Sequence, residues 1–213
     1  AVSQLRNTGG ATSGRANQTI YAPVDSTLFM IDAPLLYDGD DQTPPFIYVG
    51  CAPVVLGDWP GADIQSSLTG VDDGYTDTFR SGWDVVGTSE AVLWGTVTGT
   101  LAATSAYVID EATDLLVEPA IGTTFVSVTE DQLLENQSVN LILVGVPGRW
   151  EYIQFRDADL ESVGLWRLTG LIRGVRGTEH NIANHEDGDY VMLTSTVISK
   201  HDMGASEIAQ TAY

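Results

Sequence analysis

At 213 residues, with 43% hydrophobic and 18% charged side chains, the chain is long enough for a sizeable core and too apolar for wholesale disorder. Nine Lys and Arg against 29 Asp and Glu leave a net charge of −20, which repels phosphate backbones and anionic lipid surfaces. Direct nucleic-acid binding and membrane insertion are therefore not expected, the more so because no apolar run approaches the roughly 18 residues of a membrane helix.

Residues 1–20 are dominated by Gly, Ser, Thr, Asn, Gln and Ala without apolar periodicity, and read as a flexible linker or arm. From Ile20 onward short apolar runs recur at strand length. They are Thr27–Ile31, Phe46–Ala52, Val92–Val97, Ala106–Ile109, Leu115–Val117, Phe125–Val128, Asn140–Val144, Glu151–Arg156, Leu165–Leu171 and Tyr190–Leu193. Turn residues separate them, among them Asp38-Gly39-Asp40, Pro44-Pro45, Pro60-Gly61, Asp72-Asp73-Gly74, Pro147-Gly148 and Asp187-Gly188. Helical periodicity is confined to one or two turns at Glu130–Asn136. The expected fold is all-β, an antiparallel sandwich or barrel with minor helix. Residues 21–200 form the β-rich domain, with a sub-boundary between Gly99 and Ser105, and 201–213 begin a following segment. The chain is expected to be a piece of a longer polypeptide.

Five of the nine cations, Arg149, Arg156, Arg167, Arg173 and Arg176, fall in one stretch. Period-two alternation puts Glu151, Ile153 and Phe155 on one face and Tyr152, Gln154 and Arg156 on the other. Arg167 and Thr169 oppose Trp166 and Leu168 in the same way. The arginines are expected on a solvated or paired face, neutralising carboxylates such as Glu151, Asp157, Asp159 and Glu161, or meeting another acidic subunit.

Motifs for chemistry are scarce. Asp38-Gly39-Asp40-Asp41 and Asp72-Asp73 read as turns. Asp157-Ala158-Asp159-Leu160-Glu161 opens like a calcium loop, yet has Ser162 where such a loop needs glycine and Leu168 where it needs glutamate. His180 and His185 are five apart without a helical frame, which does not suit zinc, and with His201 they read as ordinary polar residues. Cys51, the single cysteine, lies in an apolar run and reads as a buried small hydrophobe. No nucleophile elbow or phosphate-binding glycine loop is present. A carboxylate pair of the glycosidase kind cannot be nominated among 29 acids. Trp59, Trp83, Trp94, Trp150 and Trp166 suit a core or subunit interface; Trp59, Trp83 and Trp94 are also candidates for stacking a glycan. No catalytic, cofactor or metal residue is assigned, and no enzyme activity is expected.

One segment carries a resemblance. It runs Trp150-Glu151-Tyr152-Ile153-Gln154-Phe155-Arg156-Asp157-Ala158, then Trp166-Arg167-Leu168-Thr169-Gly170-Leu171-Ile172-Arg173-Gly174-Val175-Arg176-Gly177-Thr178-Glu179. It closes with His185-Glu186-Asp187-Gly188-Asp189-Tyr190-Val191-Met192-Leu193. This resembles the large tail-tip, or host-specificity, hub proteins of siphophages and gene transfer agents. Asp32–Tyr37, Phe46–Val49 and Trp59–Ala62 follow the same order more loosely. The resemblance implies a structural hub domain at the distal tail tip of a virion assembled in the host cytoplasm. It implies a homotrimer, other tail proteins as partners, and roles in tail assembly, host attachment and DNA delivery. A glycan-binding receptor domain of such a particle is the alternative, and a carboxylate-pair hydrolase a further one. Within the resembling segment, Arg173, Gly174, Arg176, Gly177, Thr178 and Glu179 are expected to form a structural loop. Its glycines would supply unusual φ angles, and its arginines would clamp it to nearby carbonyls or carboxylates.

Overall fold

The computed structural model of the chain describes residues 25–41, 45–54, 59, 61–66, 77–81, 91–120, 123–194 and 198–203. The expected arm at 1–20 lies outside them, as do Trp83 and most of 201–213.

Six strands close into an antiparallel barrel: β5 (Trp94–Val97), β7 (Leu115–Pro119), β8 (Leu141–Gly145), β9 (Glu151–Ser162), β10 (Leu165–Val175) and β11 (Tyr190–Leu193). The order is β10, β7, β5, β11, β8, β9, and β9 pairs back onto β10 to complete the ring. The short β6 (Ile109–Asp110) adds to β10 beyond β7. A separate sheet holds β1 (Ser26–Ile31), β2 (Phe46–Pro53) and β12 (Ser199–Asp202) in the order β1, β2, β12. A hairpin of β3 (Ala62–Ser66) and β4 (Asp77–Ser81) stands beside that sheet. The all-β expectation holds, and the barrel is the form it takes. Residues 99–105 lie between β5 and β6, both part of the barrel sheet.

The side-chain period of two explains why β8 reads as a continuous apolar run and why the first five residues of β9 are buried on both faces. Ile142, Val144, Ile153, Phe155 and Val191 fill the barrel interior with Leu115, Val117 and Leu168. Their neighbours Leu141, Leu143, Tyr152 and Met192 point outward and are just as deeply buried, against Phe29, Ile31, Tyr48 and Ala52 of the three-stranded sheet. Both faces of these strands are covered, so polar alternation is lost. Cys51 is buried, as its apolar context predicts.

The helix α1 (Glu130–Glu135) forms where expected, one residue shorter. Thr129 caps it, accepting from the Gln132 N–H while the Gln132 side chain takes the Thr129 N–H. One expected strand does not form, and a second, Ala106–Ile109, keeps only Ile109, in β6. Phe125–Val128 is not a strand; it runs beside β9 through the Val128 N–H to the Arg156 carbonyl (2.8 Å) and through Ser127 Oγ, which accepts from the Ala158 N–H (2.9 Å). Within Ala106–Ile109 the chain turns at Tyr107, whose φ is +59° and whose N–H goes to the Arg173 carbonyl (3.1 Å).

Candidate functional site

The segment singled out for its arginines and glycines begins inside β10. Ile172 pairs with Gln154 and Val175 with Tyr152, so Arg173 and Gly174 together face the single residue Ile153 in a β-bulge. Gly174 has φ +66°, and a Cβ there would stand 2.8 Å from the Glu179 Cα. Arg176 follows with φ +59° and Gly177 with φ +83°. Three left-handed residues in four turn the chain sharply into a 3-10 turn at Glu179–Asn181.

The bulge aims Arg173 and Gly174 at Glu151, the first residue of β9. Glu151 Oε1 accepts from Arg173 Nε (2.8 Å) and the Gly174 N–H (2.8 Å), and Oε2 accepts from Arg173 Nη2 (2.7 Å) and lies 2.5 Å from His185 Nε2. The Arg173 guanidinium also donates to the carbonyls of Ala102 and Ile182, each at 3.0 Å. Glu151, Arg173 and His185 are sealed from solvent. Beyond His185, whose Nδ1 lies 3.3 Å from Asp189, Arg149 grips the Asp189 carboxylate through both Nη atoms (2.5 and 2.7 Å). The order Arg173, Glu151, His185, Asp189, Arg149 is one connected network, buried except at Arg149, which is partly exposed. Burial alone would raise the Glu151 carboxyl, but the hydrogen bonds from His185 and Arg173 and the Arg173 charge outweigh it and hold the carboxyl below its ordinary value.

The other loop residues bind neighbouring segments. Arg176 donates to the carbonyls of Leu35 (3.0 Å) and Leu36 and to Ser138 Oγ (2.9 Å), with its guanidinium over the Tyr152 ring. Thr178 Oγ1 donates to the Val175 carbonyl and accepts from the Tyr152 N–H. Glu179 accepts from the hydroxyl of the exposed Tyr107. An open depression beside the turn is lined by Asp32, Ala33, Pro34, Trp150, His180 and Asn181.

The arginines divide into two groups. Arg156 pairs with Glu111 and Asp157, and Arg167 with Glu161 and Asp114, on the partly solvated hairpin, as the alternation suggested. Arg173 pairs with Glu151, one of the carboxylates expected, but wholly buried rather than on a solvated face, because the bulge turns it inward. The connection of His185, Asp189 and Arg149 to Glu151 was not read from the sequence. The available signal was Glu151 itself, an acid sharing a face with Ile153 and Phe155, which demands a buried cation. Trp94 packs at an angle against Phe29 and Tyr190, and Trp59 donates from Nε1 to Ser26 Oγ. Among the described residues no group of three or more His, Cys, Asp or Glu is arranged to hold a metal ion.

These features define a β-barrel domain with an ionic network that ties the first residue of β9 to the bulge of β10 and to His185 and Asp189 before β11. Residues 92–192, which hold the whole barrel except the last residue of β11, match the family described as Rcc01698-like, C-terminal. No curated protein matches the chain.

Proposed function

We propose that this chain is a structural domain of the tail-tip hub of a phage or gene-transfer-agent-like particle. It holds a rigid shape and joins neighbouring tail proteins, assembled as a homotrimer about the tail axis, and turns over no substrate. The observation that carries this reading is an overlap. The segment resembling tail-tip hub proteins, from Trp150 to Leu193, lies, all but its last residue, within the residues matched by a family whose name is associated with gene transfer agents. The geometry of the site supports it. Glu151, Arg173 and His185 at the centre of the network are sealed from solvent and committed to one another, an arrangement suited to fixing loops.

The test is genetic and structural together. Particles from producing cells lacking residues 92–192 of this protein should show tails without a closed distal end and should lose DNA delivery. Restoring the intact gene should restore both. Normal tail ends and undiminished delivery in the deletion strain would overturn the proposal.

A further inference from the structure

We infer that His185 is a pH-sensitive latch: with both ring nitrogens protonated it ties the turn Glu186–Asp189 to the start of β9, and it loosens that turn when the ring gives up one proton. The inference goes beyond the hub reading and does not depend on it.

The geometry sets the requirement for both protons. The imidazole bridges two carboxylates, with Nε2 2.5 Å from Glu151 Oε2 and Nδ1 3.3 Å from Asp189 Oδ2. Its side chain has no exposed surface, so bulk water cannot stand in for either contact. Each carboxylate is also held by a guanidinium, Glu151 by Arg173 of β10 and Asp189 by Arg149 of the β8–β9 connection. An ionised carboxylate only accepts hydrogen bonds, and a neutral imidazole carries a single N–H. A ring with two protons therefore satisfies both neighbours, whereas a ring with one sets a lone pair against a buried anion. Among the described residues the one further charge in the cluster is Glu186, exposed and 3.5 Å from Arg149 Nη2.

The same geometry says what loosens. The Nδ1 contact is the longer of the two, and Asp189 keeps Arg149 when it is lost, so Nδ1 is the nitrogen that gives up its proton. The Asp189 carboxylate also accepts from the Glu186 N–H (3.0 Å), and the Asp189 N–H goes to the Glu186 carbonyl (3.2 Å). These two bonds close a turn whose residues Glu186, Asp187 and Gly188 are exposed. Repulsion between the Nδ1 lone pair and Asp189 falls on that turn first. Within the network only histidine has an ordinary titration between about pH 5 and 8. The latch is closed on the acid side of that titration and opens as pH rises. Its sign is opposite to that of Glu151, whose protonation weakens the network as pH falls.

The test is NMR on the full, isotope-labelled chain across a pH titration within the range where it stays folded. Two quantities are read: the number of N–H protons on the His185 ring, and the protection of single backbone amides after correction for the intrinsic rise of exchange with pH. The ring should show two N–H protons at the acid end and one, on Nε2, at the alkaline end. Over the same interval the Glu186 amide should lose protection by about tenfold or more, as the loss of a hydrogen bond to a charged group implies. The Asn181 amide, bonded to the Thr178 carbonyl and not to the latch, should keep its protection. His185→Gln can donate to one carboxylate but cannot change charge, so its Glu186 protection should not vary with pH. A ring whose proton count never changes while the chain is folded would overturn the inference, and that reading needs no variant to fold. So would a ring that titrates while Glu186 protection stays constant, equal loss of protection at Asn181, or the parent's pH dependence persisting in His185→Gln.

Discussion

Glu151 is the residue on which the site turns. Its carboxylate receives two Arg173 donors, the Gly174 N–H and His185 contact, with no solvent access. Removing one partner of such a pair leaves a buried charge without compensation. Arg173→Met should therefore lower unfolding free energy by about 3–5 kcal/mol in urea titrations. Replacing Glu151 and Arg173 together by leucine should cost less than the sum of the two single changes, because no lone charge remains. Arg176→Ala should cost less, roughly 1–3 kcal/mol, since it orphans the Leu35 and Leu36 carbonyls rather than a charge. The pH dependence has a definite sign. Glu151 is depressed from its ordinary 4.5 in the folded state, so its contribution is complete above that value and disappears as pH falls through the folded value. Acid titrations of stability should be steeper below about pH 4.5 in the parent chain than in Glu151→Gln.

At the scale of elements, the barrel depends on two glycines that let β10 bend. Leu168 and Leu171 both face the interior although they are three apart, and Gly170, with φ +64°, lies between them against the Arg156 side chain. Gly174 forms the bulge against Glu179. Gly177 also has a left-handed φ, +83°, but nothing lies within 4 Å of a Cβ placed there. Gly177→Ala should thus cost only backbone strain, about 1–2 kcal/mol. Gly174→Ala adds a backbone clash and should lower the melting temperature further; equal shifts for the two would contradict the bulge geometry. Strand positions were legible because β-branched and apolar runs between turn residues have few other uses, and the helix was legible from the run Glu130–Asn136. The segment Phe125–Val128 was not, since it has strand composition but only a single edge to lie against. The turn at Tyr107 was hidden because its stabilising partner, the Arg173 carbonyl, is remote in sequence. The ionic network was legible only in part. Glu151 on an apolar face signals a buried partner, but which arginine answers it depends on the bulge, and the His185 and Asp189 contacts depend on barrel closure.

At the scale of the molecule, pairing of β9 with β10 closes the sheet on itself and removes the edges of the six-stranded barrel. The arginines of the matched segment are engaged within the chain, so the outward charge is acidic and partners with basic surfaces are favoured. The measurement closest to this account's central claim is gold-labelled antibody against residues 92–192 applied to purified particles from the producing cell and viewed by electron microscopy. The account predicts label at the distal end of the tail and nowhere else. Label elsewhere on the particle, or particles that carry none of this protein, would contradict it.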